Sequence, residues 1–137
     1  MKTNRKKERE IIILSLYAYE LTSNNPLEII NYTLEEFKLE EATDYIRENV
    51  LNIIDRKEEI DEIIKRNLTN YSIDRLAYVD LQIIRFATYE LLKGEAPAIS
   101  INEAVELAKK YSDLDDGKAS AFINSVLDKI KKDLEVK

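Results

Sequence analysis

An all-α fold, a compact bundle of about six to seven helices, is what the sequence predicts. Its 137 residues include 2 Gly and 2 Pro, with 45% hydrophobic and 35% charged residues, so few turns can be built and long helices with short connections follow. Apolar residues recur at steps of three and four through YSIDRLAYVDLQIIRFATYELLKG, residues 71–94, and helix start and stop signals bracket this stretch and others. The length fits one domain, or two small subdomains sharing a core.

The first helix is predicted from about Arg5 to Leu21, with Ile13, Leu16, Tyr17 and Leu21 on one face and Ile12 and Tyr19 at its flanks. Residues 1–9 carry Lys2, Arg5, Lys6, Lys7 and Arg9 against Glu8, a side-chain sum of +4 in a chain of net charge −6, which leaves −10 for the remainder. Positive charge at a helix N-terminus opposes the macrodipole at a cost of roughly 0.3–1 kcal/mol. A basic arm on an acidic body confines any nucleic-acid contact to the arm, because most of the surface repels phosphate. The bland alternative is a solvated terminus whose lysines keep the chain soluble.

Asn25 as N-cap, Pro26 at the first helical position and Glu28 three residues after the cap predict a second helix from Pro26 to about Lys38, burying Leu27, Ile30, Leu34 and Phe37. A third, from about Glu41 to Leu68 and bent near Asp55 to Glu59 where the apolar pattern lapses, carries the stripe Ile46, Val50, Ile53, Ile60, Ile63 and Ile64. In the central helix, 71–94, the buried face is Leu76, Val79, Ile83, Ile84, Ala87, Leu91 and Leu92. Ser72 caps its start, Gly94 closes its end, and Asp74, Asp80, Arg85 and Glu90 form a second strip of ionisable groups. Ser100 and Glu103 read as a capping box for the next helix, which buries Ala104, Val105, Leu107 and Ala108 and ends in Lys109 and Lys110. After an aspartate-rich loop, Ser112 to Gly117, a last helix from Lys118 to about Leu134 gathers Phe122, Ile123, Val126, Leu127 and Ile130.

Composition excludes several chemistries. Cysteine and histidine are both absent, so disulfides, thiolate or imidazole zinc sites and Cys- or His-based nucleophilic dyads cannot form. Asp113, Asp115 and Asp116 resemble part of a calcium loop, but Asn124 stands where the bidentate glutamate belongs, and a solvated loop with an N-cap is the better reading. No phosphate-cradling glycine pattern is present, so neither catalysis nor a cofactor is expected. No apolar run approaches the roughly 20 residues that span a bilayer, and the charged N-terminus lacks a signal-peptide cleavage site, making a cytoplasmic protein the default. Among the eight tyrosines, Tyr17, Tyr19 and Tyr78 are candidates for more than core-edge packing. Lys118 and Phe122, four apart on one helix face, suit single-stranded RNA, with burial of Phe122 as the alternative.

The strings DRLAYVDLQIIRFATYELL (74–92), P-x-x-x-INEAVELAKKY (97–111) and FINSVLDKI (122–130), with R-E-x-x-x-x-x-L-Y at Arg9, Glu10, Leu16 and Tyr17, resemble the NusB transcription antitermination family. The resemblance implies a single domain of two side-by-side helical subdomains, roughly 1–70 and 71–137. It also implies a non-enzymatic antitermination factor that binds boxA-type single-stranded RNA of nascent ribosomal RNA transcripts, together with the ribosomal small-subunit protein NusE, in the RNA polymerase antitermination complex. The family's RNA contacts match Arg5, Lys6, Arg9, Lys118 and Phe122, with Lys2 of the same arm beside them. Its protein-partner contacts match Tyr17, Asp74 and Asp80, whose carboxylates suit a basic ribosomal protein. The chain departs from the family pattern in three places: the loop before Phe122 is about three residues longer than is usual, Asn124-Ser125 stands where Asn-Gly is usual, and the arm reads NRKKERE where a continuous arginine pair is common. An accessory helical domain related to that of ribosomal RNA cytosine methyltransferases, and a structural oligomerisation bundle, are the alternative readings; a homodimer is compatible with all three.

Overall fold

Seven α-helices and one short 3₁₀ turn account for the regular structure of the computed structural model, which describes residues 4–69, 72–114 and 116–135. In chain order they are α1 (Arg5–Thr22), α2 (Pro26–Glu36), α3 (Asp44–Asp55), α4 (Lys57–Arg66), the 3₁₀ turn Ile73–Arg75, α5 (Tyr78–Leu92), α6 (Pro97–Tyr111) and α7 (Lys118–Glu135). The chain divides into two compact units, Met1–Asp55 and Arg56–Lys137. The division therefore falls ahead of the expected boundary near 70. The predicted third helix is two helices separated at Arg56, because no apolar residue carries the stripe through Asp55 to Glu59 and nothing there holds one continuous rod against a core.

In the first unit α1 packs on α2 and α3. The Asn4 side chain accepts the Lys7 amide at 2.8 Å and starts α1, and Asn25 accepts the amides of Leu27 and Glu28 and starts α2. The core is Ile11, Ile12, Ile13, Leu16, Ile29, Ile30, Leu34, Ile46, Val50 and Ile53. Leu21 and Leu27, expected inside, are exposed. They occupy the last turn of α1 and the first turn of α2, where the chain reverses through Ser23 at φ 56°. Tyr17, Tyr19 and Phe37 are half-buried.

In the second unit α5 is the centre, and every residue from Leu81 to Glu90 is buried. The ionisable strip expected on it is thus corrected: Arg85 and Glu90 lie inside. Arg85 is held there by two parallel hydrogen bonds to Asp61 of α4, 2.8 and 2.9 Å long, the geometry that offsets the cost of burying a guanidinium. The expected single helix is a 3₁₀ turn followed by α5; Ser72 makes no capping bond and Tyr71 lies outside the described residues. Gly94 takes φ +87° at the other end, which lets the Glu95 amide reach the Glu90 carbonyl at 3.0 Å. The Ser100–Glu103 capping box does not form. Pro97, preset for a first helical position, starts α6 one turn earlier and leaves Ser100 buried within it. In α7, Ile123, Val126, Leu127 and Ile130 are buried and Phe122 is half-buried.

Candidate functional site

The basic arm is ordered as the first turns of α1. Arg5 and Lys6 are exposed, whereas Arg9, one turn further in, is only 8% exposed. Arg9 thus reaches solvent far less than a phosphate contact requires. Lys2 lies outside the described residues. The Arg5 guanidinium lies over the ring of Tyr45 in α3, 3.6 Å from its centroid, and donates to Glu8 Oε1 at 3.2 Å. The second oxygen of Glu8 accepts the hydroxyl of Thr43 at 2.5 Å. Residues from two segments 35 or more positions apart therefore orient one cation. The ring quadrupole attracts the guanidinium on its face and leaves its outer face open. No local signal in the sequence marks Tyr45 or Thr43 as partners of the arm, because their proximity depends on α3 packing back on α1.

In the second unit Lys118 is exposed at the first position of α7, with Phe122 one turn on. Two amides of this turn, those of Lys118 and Ser120, are already engaged. Lys118 N–H donates to Asp116 at 3.0 Å, and Asp113 accepts both the amide and the hydroxyl of Ser120 at 2.9 Å. The aspartates of the loop are thus caps, as expected for Asp113 and Asp116, while Asp115 lies outside the described residues. With those two amides taken, an anion meeting this helix start would be held chiefly by the Lys118 ammonium.

The candidate protein-contact residues are unequal. Asp74 is exposed on the 3₁₀ turn, and Tyr17 is half-buried in α1. Asp80, in the first turn of α5, accepts a hydrogen bond from the Ser112 hydroxyl just beyond α6. Burial pushes its carboxyl above the ordinary aspartate range, the Ser112 bond offsets part of that, and the nearby Asp113 adds to it. Asp80 consequently ties α5 to the end of α6, an attachment that its spacing from Val79 does not reveal.

The NusB family profile matches residues 6–132. The transcription antitermination protein NusB of Clostridium perfringens is 39% identical over 137 residues, spanning 96% of this chain and 99% of its own length. Two solved structures share the fold at comparable coverage. T. maritima NusB superposes with a TM-score of 0.82 at 30% identity, over 96% of this chain and 93% of its own. A chain from a crystal structure of the antitermination factors NusB and NusE in complex with dsRNA superposes with a TM-score of 0.82 at 36% identity, over 94% of this chain and 96% of its own. The two helical units and the cation-bearing start of α1 define a small all-α protein of the antitermination-factor class. The chain belongs to the NusB family.

Proposed function

We propose that the protein is a non-catalytic transcription antitermination factor of the cytoplasm. It binds boxA-type RNA of nascent ribosomal RNA transcripts together with the ribosomal small-subunit protein NusE, and delivers both to the RNA polymerase antitermination complex. The observation that carries this reading is the oriented Arg5 guanidinium at the start of α1, exposed beside Lys6 on a chain that is otherwise acidic. The near full-length similarity to a named antitermination protein, and to a NusB chain solved with NusE and dsRNA, supports the choice of ligands. Among the described residues no helix is long and apolar enough to cross a membrane.

Each side chain has a distinct task in this scheme. Arg5 presents a planar fork that suits a phosphate, and Lys6 adds a point charge beside it. Lys118 supplies a further cation, and Phe122 a half-buried ring on whose face an unpaired base can stack. Lys2 belongs to the same arm, and Arg9 lies buried one turn behind it. Asp74, Tyr17 and Asp80 are the residues that meet the protein partner, Asp80 with part of its carboxylate already taken by Ser112. The test is titration of a boxA-like RNA, as single strand and as duplex, with and without NusE. Reversing Arg5 and Lys6 to glutamate is expected to weaken RNA binding and flatten its dependence on salt while leaving helicity unchanged. Unchanged affinity and slope would remove the arm from the site.

A further inference from the structure

The first unit carries a surface that the RNA site does not use. Between the end of α1 and α2 runs a groove of about 350 Å³ floored by Ala18 and Ile29 and edged by Thr22, Asn24, Glu28 and Tyr32. Tyr32 is 70% exposed, an uncommon position for a ring that could have been buried. Glu28, Tyr32 and Glu36 stand four residues apart along one face of α2, so two carboxylates about 12 Å apart flank the ring. Among the described residues Glu28, Glu35 and Glu36 form no ion pair.

Two features make these carboxylates unusual. Glu35 and Glu36 sit in the last turn of α2, which holds no basic residue, so they face the negative end of the helix dipole without compensation. Residues 20–44 contain seven acidic side chains against Lys38 alone, a local charge equal to that of the entire chain. Such a field repels phosphate, which rules out RNA as the occupant, and it attracts a cationic protein segment. The groove supplies what the charge does not, an apolar seat beside Glu28 and Tyr32 with Glu36 one turn beyond the ring.

We infer that the α1–α2 groove is a second protein-docking surface, built for a cationic amphipathic segment that places an apolar side chain against Tyr32 and Ile29 and a lysine or arginine near each of Glu28 and Glu36. On a helical segment this is a basic residue, an apolar residue four positions on, and another basic residue four beyond that. The surface shares no residue with the RNA or NusE candidates, so the inference stands or falls independently of the proposed RNA reading.

The probe is a synthetic alanine-rich helical peptide with lysine, leucine and lysine at that spacing, titrated into the isotope-labelled full chain and followed by amide chemical shifts. Perturbations confined to residues around Ala18, Thr22, Glu28, Ile29 and Tyr32 are expected. Glu28→Lys with Glu36→Lys should weaken binding at least about tenfold through like-charge repulsion. Tyr32→Ala should weaken it too and Tyr32→Phe should not; exposed positions of this kind leave the fold intact, which circular dichroism checks on the same samples. RNA affinity of all three variants should match that of the parent chain. Shifts scattered over the acidic surface would overturn the inference, as would equal binding of a peptide with serine in place of leucine. Sedimentation showing that the free chain self-associates through Tyr32 would also overturn it, since a second copy would then be the occupant.

Discussion

Three ionisable side chains of the second unit behave differently because their surroundings differ. Asp80 is half-buried beside Asp113 with one hydroxyl donor, and its carboxyl is raised; Asp133 accepts from Arg66 and Asn67, and its carboxyl is lowered. The signs of their linkage to folding are opposite. A raised Asp80 binds its proton more readily folded than unfolded, so its contribution declines as pH climbs from the ordinary aspartate range through the raised value. Asp133 stabilises above the ordinary range, and that contribution is lost as pH falls through its lowered value. Asp80→Asn keeps an acceptor for Ser112 and removes the charge. Urea unfolding should find the variant at least as stable as the parent near pH ~7, with the advantage shrinking toward pH ~4. Asp61 is a third case, since it neutralises Arg85, whose side chain is 6% exposed. Asp61→Ala should cost about 3–5 kcal/mol by removing the carboxylate that accepts two bonds from a buried guanidinium, and replacing both residues with apolar ones should cost much less. Denaturant midpoints for the single and double variants test this.

At the scale of elements, α1 is one helix with two environments. Its first turns carry cations in solvent, while the stretch from Glu8 to Ile13 is buried throughout. The cost of cations at its N-terminus is offset by the Asn4 cap and by the hold of Tyr45 and Glu8 on Arg5. Tyr45→Ala should therefore lower RNA affinity a few-fold, as roughly 0.5–1 kcal/mol of cation–π attraction would be lost, with little change in melting temperature. Tyr45→Phe should retain the affinity, and anisotropy titrations of both variants decide the point. At the end of α5, Gly94 has open space where a Cβ would go but a φ of +87°. Gly94→Ala is accordingly expected to cost about 1 kcal/mol through backbone strain alone, measurable as a lowered denaturation midpoint.

For the whole molecule, the decisive quantity is the segregation of charge. A body summing to −10 outside the first nine residues limits the phosphates that the chain can neutralise to those near a few exposed cations. If Arg5 and Lys6 each engage one phosphate of a single strand, the logarithm of affinity should fall with the logarithm of salt with a slope of about −1.4. A much steeper slope would mean that cations elsewhere in the chain contribute. Such weak electrostatic binding makes a second ligand valuable, because a protein partner held on acidic ground can add affinity without adding indiscriminate attraction for nucleic acid.

The sequence by itself determined the helical class, the cap at Asn25, the αL closure at Gly94, the isoleucine stripes of α3 and α4 and the concentration of cations at the start of α1. Each of these depends on residues within a turn or two of one another. The family strings made Arg5, Lys6, Arg9, Lys118, Phe122, Tyr17, Asp74 and Asp80 the candidates for contact. Tertiary structure decided which of these side chains stay available. Whether a leucine at a helix end is covered, whether Arg9 and Arg85 face a core, whether α6 starts at Pro97 or Ser100 and whether Asp80 has Ser112 beside it all depend on what another element brings near. Helical periodicity specifies the direction of a side chain about its own axis and leaves open what stands in that direction. Tyr45 under Arg5, 40 residues away along the chain by sequence number, is the plainest instance: the ring that orients the arm becomes its neighbour only when α3 folds back on α1.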